Sequence, residues 1–346
     1  MHAVVYHGPG QKSWEEVPDP KIEDDGDAVV RITTTTICGT DLHILKGDVP
    51  AVTPGRILGH EAVGTVTETG PAVRSVKPGD HVLLSCISAC GRCRYCRERR
   101  YGQCIGGGGW IFGHLIDGVQ AELARVPFAD TSTYHVPAGL TDEHVLYLAD
   151  ILPTGYEVGV LNGQVQPGDV VAIVGAGPVG LAAVIGARLY SPAAIIAIDP
   201  TPNRRDWAEK FGANVVATPE QARAETDRLT DGLGADVAVE AVGIPETFEQ
   251  CTELIRAGGR VANVGVHGKP ATLHLESLWI KDVTITTGLV DTFSTPTLLK
   301  TVAAGQIDPT RFTTHRFPLH DAIQAYDTFA RASETNALKV MLTAEG

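Results

Sequence analysis

The chain has no apolar run approaching the roughly 18 residues that a helix needs to cross a bilayer, so no membrane span is expected. It has no excess of basic charge: 28 Lys and Arg face 41 Asp and Glu, a net charge of −13, and the pI is near 5.3. A chain of that sign does not attract the nucleic-acid backbone or anionic lipid surfaces. The opening residues, MHAVVYHGPG, lack a basic segment leading into an apolar one, so no secretory leader is read there. No internal repeat or low-complexity segment is evident. What is present suits a globular protein: 346 residues, 43% hydrophobic and 20% charged, long enough for about two domains with sizeable cores. Seven cysteines are an odd number, and four crowd into Cys90–Cys104. That fits a metal site better than a disulfide framework, and with it a reducing, cytoplasmic setting.

The best-organised stretch is Gly168–Asp199. Val170–Val174 is a β-rich apolar run, followed by Gly175-Ala176-Gly177-Pro178-Val179-Gly180 and an Ala/Leu-rich helical stretch. A second apolar run, Ala194–Ile198, ends on Asp199. Strand, glycine turn, helix, strand and acid is the order of a dinucleotide site. Gly175 permits the tight turn, Gly177 lets the backbone approach a pyrophosphate, and Gly180 lets helix and strand pack closely. Pro178 and Val179 open the helix whose free N–H groups face the phosphates. A glycine turn alone also serves plain packing; here its flanking elements agree with the ligand reading. Asp199 suits two ribose hydroxyls and repels a 2′-phosphate, which predicts NAD over NADP. Arg204 and Arg205 soften that preference, unless they are simply a solvated helix start. Runs at Val215–Ala217, Ala235–Val242, Arg260–Val266 and Thr284–Leu289 continue an α/β, doubly wound parallel sheet. Val242, Val264 and Leu289 stand near strand ends, where such sheets bind ligands, and are candidate cofactor contacts besides being core.

Residues 1–35 alternate short apolar and polar runs, as in Ala28–Ile32, and read as β-rich. Two segments follow, Cys38-Gly39-Thr40-Asp41-Leu42-His43 and Gly59-His60-Glu61-Ala62-Val63-Gly64. Cys38 and His60 are natural zinc ligands; taken singly, each is more often an ordinary buried or satisfied residue. Cys90, Cys93, Cys96 and Cys104 form a C-x2-C-x2-C-x7-C set, a closed structural zinc site that ties down a lobe too short for its own core. Ile105–Gly118 holds four successive glycines and is expected to be a mobile loop, carrying Trp110.

Taken together, CGTDLH, GHEAVG, the four-cysteine lobe and GAGPVG resemble the zinc-dependent medium-chain alcohol dehydrogenases over essentially the whole chain. The resemblance implies a GroES-like catalytic domain over 1–153 with a structural-zinc lobe at 86–105. A Rossmann NAD-binding domain is then expected over 154–292 and a C-terminal return over 293–346. It implies two zinc ions per subunit. The catalytic one is held by Cys38, His60 and Asp150, where many relatives carry Cys; a helix N-cap is the plain alternative for Asp150. Glu61 becomes a transient fourth ligand, and Asp41 accepts from the far nitrogen of His60. Cys86, Ile87, Trp110, Leu289 and Val290 make an apolar substrate pocket, and Lys339 reaches the pyrophosphate. Thr40 takes the alcohol proton and His43 passes it on by way of the ribose, while hydride moves to the nicotinamide. The implied substrates are primary or secondary alcohols and the matching aldehydes or ketones; a polyol or L-threonine dehydrogenase is the alternative. A zinc module that binds nucleic acid is disfavoured by the net charge. A homo-oligomer is expected, a tetramer ahead of a dimer.

Overall fold

The structure is a computed structural model and describes residues 1–344. The chain forms two compact units: Met1–Asp150 with the chain from Asp291 onward, and Ile151–Val290. In the first unit, β1 (His2–Gly8) and β2 (Gln11–Glu16) make a hairpin. The strands β3 (Ala28–Thr36), β4 (Ala62–Thr69), β5 (His81–Leu84), β6 (Leu123–Val126) and β7 (Thr133–His135) pair antiparallel. Ala28, Val30 and Ile32 share a core with Ala62, Val66, Val82, Leu84 and Phe112. β3 runs on through Thr34–Thr36, past the apolar run. Its threonines are β-branched, and the hydroxyls of Thr35 and Thr36 donate to the carbonyls of Glu61 and Val340, so burial leaves neither unpaired.

The second unit is a six-stranded parallel sheet of β8 (Val170–Val174), β9 (Ala194–Ile198), β10 (Val215–Ala217), β11 (Ala235–Glu240), β12 (Ile255–Asn263) and β13 (Thr284–Thr287). Their order is β10-β9-β8-β11-β12-β13. The order reverses at β8, so the turn after β8 sits at a topological switch point. β8 and β9 are buried throughout, which is why they read as unbroken apolar runs. β11 stops two residues short of the sequence expectation. The Glu240 carboxylate accepts from the N–H groups of Val242 (2.9 Å) and Gly243 (2.8 Å) and turns the chain away. β12 starts five residues early, because its register slips at Arg256–Gly259 before pairing resumes at Arg260.

The chain then returns to the first unit as β14 (Thr313–Pro318) and β15 (Lys339–Thr343). β15 lies between β14 and β3, pairing Met341 with Thr36 and Leu342 with Thr35. The unit boundaries differ slightly from the expected ones. Ile151–Thr154 begins a helical segment that packs on the helix Pro178–Arg188, so it belongs to the second unit. Asp291 and Thr292 belong to the first: Asp291 accepts from the Gly102 N–H at 2.7 Å, and the Thr292 hydroxyl lies 2.8 Å from that of Ser85. Among the described residues no helix is long and apolar enough to cross a membrane.

Candidate metal centres and nucleotide site

Three segments distant in sequence meet in the first unit. Cys38 precedes the helix Gly39–Lys46, and the Asp41 carboxylate accepts the Cys38 N–H at 2.9 Å, fixing the backbone that presents the thiol. His60 follows Gly59, whose φ of 91° suits only glycine; a Cβ there would stand 2.4 Å from Gln120 Cγ. Asp150 follows the helical turn Leu146–Leu148. That turn is pinned by the Cys86 N–H, which donates to the Ala149 carbonyl at 3.0 Å, and by the Tyr147 hydroxyl, 2.7 Å from that of Thr313. Cys38, His60, Glu61 and Asp150 each offer one ligand atom, all within 4.8 Å of one another.

The spacing can be compared with a zinc ion. Bond lengths of about 2.3 Å to sulfur and about 2.0 Å to nitrogen or oxygen, at tetrahedral angles, give S···O edges of about 3.5 Å and N···O edges of about 3.3 Å. Asp150 Oδ2 stands 3.7 Å from Cys38 Sγ and 3.3 Å from His60 Nε2. The donors therefore fit the ion in size and in kind. Three of them leave a tetrahedral position for a small oxygen ligand.

The electrostatics agree. Burial pushes the Cys38 thiol up. Burial opposes protonation of His60, yet hydrogen bonds with Asp150 and Cys38 lift its imidazole well above the ordinary range. As bare side chains these groups hold protons that a dication displaces.

Glu61 is matched separately. Lys339 Nζ donates to Glu61 Oε1 at 2.7 Å and to the Ile37 carbonyl at 2.9 Å, and both side chains are 1% exposed. Burial pushes the Glu61 carboxyl up against the attraction of Lys339. Burial also works against the Lys339 charge, but Glu61 holds its ammonium above the ordinary value. Glu61 Oε2 has no hydrogen-bond partner. Lys339, expected to reach the pyrophosphate, opens a strand inside a sheet, and its buried ammonium gives two of its three N–H groups to Glu61 and Ile37. A second difference concerns Asp41. Its Oδ1 is 3.9 Å from His60 Nδ1, too far for a hydrogen bond. Its Oδ2 is taken by Cys38 and by Gln120 Nε2 at 3.1 Å. Sequence reasoning passed over Gln120, although an amide inside the run Val119–Ala121 was a usable signal. The Tyr326 hydroxyl donates to its Oε1 at 2.7 Å.

Thr40 is half-buried with its hydroxyl 3.7 Å from Cys38 Sγ, and His43 is exposed one turn on. Cys86 and Ile87 are buried. Trp110 stacks on His114 at 4.2 Å and packs against the core that contains Ile37 and Ile44. The glycine-rich loop expected to be mobile is fastened: Ser88 and Gly109 exchange backbone bonds of 3.0 and 2.6 Å, and Phe112 is fully buried. Leu289 is exposed and Val290 buried, both in the second unit.

Cys90, Cys93, Cys96 and Cys104 form the other donor group. Four sulfurs around zinc stand about 3.8 Å apart; Cys93 and Cys96 are at 3.4 Å, Cys90 and Cys96 at 3.9 Å. The Cys96 N–H lowers the Cys93 thiol to about 6, and burial raises Cys96 to about 12. Backbone N–H groups of Cys90 and Gly106 reach Cys104 Sγ at 3.3 and 3.4 Å. The lobe is tied to the unit through Asp291 and through Arg99, whose guanidinium lies 4.5 Å over the Phe293 ring.

In the second unit, the turn after β8 has the geometry of a phosphate cradle. Gly175 has φ 100°, and a Cβ on Gly180 would stand 1.8 Å from the Gly175 carbonyl oxygen. Gly177 differs: nothing lies within 4 Å of where its Cβ would be, so the space beside its backbone is open to a ligand. Pro178 and Val179 begin the helix Pro178–Arg188. Asp199 accepts from the N–H groups of Ala176 and Thr201, both at 2.9 Å. Arg204 and Arg205 are half-buried rather than solvated. Arg205 donates to the Asp199 carbonyl at 2.7 Å, and burial lowers the Arg204 guanidinium against the pull of Asp199. Val242 is exposed and Val264 half-buried at the ends of β11 and β12.

Changing Lys339→Met should destabilise the protein by about 3–5 kcal/mol by leaving Glu61 buried and unmatched. Adding Glu61→Gln should recover part of that loss in chemical denaturation. A double variant no more stable than Lys339→Met alone would show that the pair is not coupled.

Residues 24–138 match the family described as "Alcohol dehydrogenase GroES-like domain", and residues 178–303 match "Zinc-binding dehydrogenase". An alcohol dehydrogenase of Cupriavidus necator is 38% identical, with 99% of this chain and 98% of that protein covered. Among solved structures, zinc dependent alcohol dehydrogenase 2 from Streptococcus pneumonia superposes with a TM-score of 0.96 at 49% identity, covering 100% of this chain and 99% of that one. Alcohol dehydrogenase TADH from Thermus sp. ATN1 does so at 0.93 and 38%, with both chains covered in full (100%). With two donor groups of zinc spacing, a glycine turn at the switch point and these likenesses along its length, the chain belongs to the zinc-dependent medium-chain alcohol dehydrogenase family.

Proposed function

We propose that the protein moves a hydride reversibly between NAD and a primary or secondary alcohol with an apolar side chain, giving the aldehyde or ketone. The observation that carries this reading is the meeting of one sulfur, one imidazole and one carboxylate at tetrahedral zinc spacing. When bound, zinc supplies a Lewis acid to the substrate oxygen, and NAD supplies the hydride acceptor.

The residues do the remaining work. Cys38, His60 and Asp150 hold one ion, with Glu61 beside them, and the four lobe cysteines hold the other. Thr40, half-buried next to Cys38, takes the alcohol proton through its hydroxyl, and exposed His43 passes it toward water. Cys86, Ile87 and Trp110 present apolar surface that excludes water and suits a hydrocarbon substituent. The backbone at Gly175, Gly177 and Gly180, with the helix beginning at Pro178 and Val179, receives the pyrophosphate. Asp199 accepts from the ribose hydroxyls, since each carboxylate oxygen keeps a lone pair beyond the bond it already accepts. Its charge favours NAD; Arg204 and Arg205 beside it limit how strictly. Val242, Val264 and Leu289 contact the rest of the cofactor.

The reading extends to assembly and setting. Leu273, Leu275, Leu278, Trp279, Val283 and Ile285, with Asp282 among them, line a mainly apolar concavity next to β13, an edge strand. Trp279 is 74% exposed and Leu275 60%. Such a patch beside an open edge suits a second copy of the chain, and we place the protein as a homo-oligomer, a tetramer ahead of a dimer. No disulfide joins any two of the seven cysteines, as suits a reducing cytoplasm.

Two measurements check these statements. Alcohol oxidation followed at the absorbance of the reduced nicotinamide should run with NAD well ahead of NADP. Thr40→Val should cut kcat by about 10²–10⁴ fold while leaving NAD affinity unchanged. Full activity in that variant removes Thr40 from the proton path, and equal rates with NADP remove the role given to Asp199. Native mass spectrometry should report an oligomer that Trp279→Glu dissociates; a monomeric wild type contradicts the assembly.

A further inference from the structure

We propose that Asp48 is a positioning residue for the proton path: it holds His43 in the tautomer that leaves Nε2 free to accept a proton. The inference rests on the relay reading of Thr40 and His43 and adds the group that sets the state of its outer member.

The argument begins with how a helix ends. Gly39–Lys46 stops at Gly47, which takes φ 85° and ψ 13°, a left-handed conformation open to glycine. The N–H of Gly47 donates to the Ile44 carbonyl at 2.9 Å and that of Asp48 to the His43 carbonyl at 3.0 Å. The second bond folds the chain back along the helix and returns residue 48 to the level of residue 43. The Asp48 carboxylate then meets the ring, with Oδ2 2.8 Å from His43 Nδ1.

An ionised carboxylate only accepts, so this contact places the hydrogen of a neutral imidazole on Nδ1. The lone pair is then on Nε2, the nitrogen pointing away from Asp48. A purely stabilising role does not account for the pair. The two side chains are 47% and 51% exposed, and pairs in water contribute little to folding. The same contact still decides which nitrogen carries the hydrogen, because the free ring has only a weak preference of its own.

The test uses the full-length, zinc-loaded protein with nitrogen-15-labelled histidine, at a pH where His43 is neutral. The wild type should carry the hydrogen on Nδ1, Asp48→Ala should move it toward Nε2, and Asp48→Glu should restore it. In alcohol oxidation, Asp48→Ala should lower kcat about ten-fold with the NAD dissociation constant unchanged, and Asp48→Glu should recover most of the rate. A wild type with the hydrogen on Nε2 overturns the proposal. So does an Asp48→Ala variant with the wild-type kcat when His43→Ala is impaired. Full activity in His43→Ala overturns the relay reading instead, and the tautomer signal still decides whether Asp48 sets the ring.

Discussion

Buried acceptors of one sign cannot persist without positive charge, and the first unit is arranged around that constraint. Cys38, Glu61 and Asp150 crowd one small volume with a single imidazole among them. Left bare, ionised groups so placed would face a desolvation cost of several kcal/mol each. The chain answers part of this itself by bringing Lys339 back from its far end onto Glu61. That leaves the Cys38 thiolate and the Asp150 carboxylate, two negative charges that one divalent cation balances. The fold thus separates a permanent internal counterion from a group of donors that could hold a metal. A zinc ion held with Asp150 in place of a second thiolate would have a harder donor set and would be a stronger Lewis acid.

The supporting structure follows from the same need. A thiol at the start of a helix, an imidazole after a left-handed glycine and a carboxylate after a buried turn are each placed by the local backbone. Gln120 braces the first of these supports, joining Asp41 to the Thr36 carbonyl and Tyr326. The second unit meets a different need under the proposed function, the approach of a pyrophosphate to backbone. It uses glycine in two ways: Gly180 because the protein is too close, and Gly177 because nothing is there.

These two solutions were not equally legible in the sequence. The nucleotide turn is local: Val170–Val174, the glycines and Ala194–Ile198 are consecutive, and both strands begin and end where the apolar runs do. Cys38 and His60 sit in short motifs of their own. Asp150 has no such motif and was reached only through family resemblance. The pairing of Lys339 with Glu61 was not legible, because nothing in Lys339–Leu342 reveals that the strand lies between two others. The bond expected between Asp41 and His60 is not made: the Cys38 N–H and Gln120 anchor Oδ2 in an orientation that leaves Oδ1 3.9 Å from His60 Nδ1, and only the fold brings Gln120 there. Strand ends drifted where a side chain intervenes, as Glu240 does for β11, or where the register slips, as in β12. The meeting of Asp48 with His43 needs the geometry of the reversal at Gly47, which no motif in the sequence announces.

The central claim is that the chain builds two chemically different zinc sites, one closed and all sulfur, the other mixed and open. Zinc-edge X-ray absorption together with elemental analysis of the purified protein reads this directly. The account predicts two zinc ions per chain, matching the two donor groups, and a shell in which nitrogen and oxygen scatter alongside sulfur. A single equivalent of zinc with a purely sulfur shell would leave Cys38, His60 and Asp150 without the ion they are arranged to hold, and would contradict it.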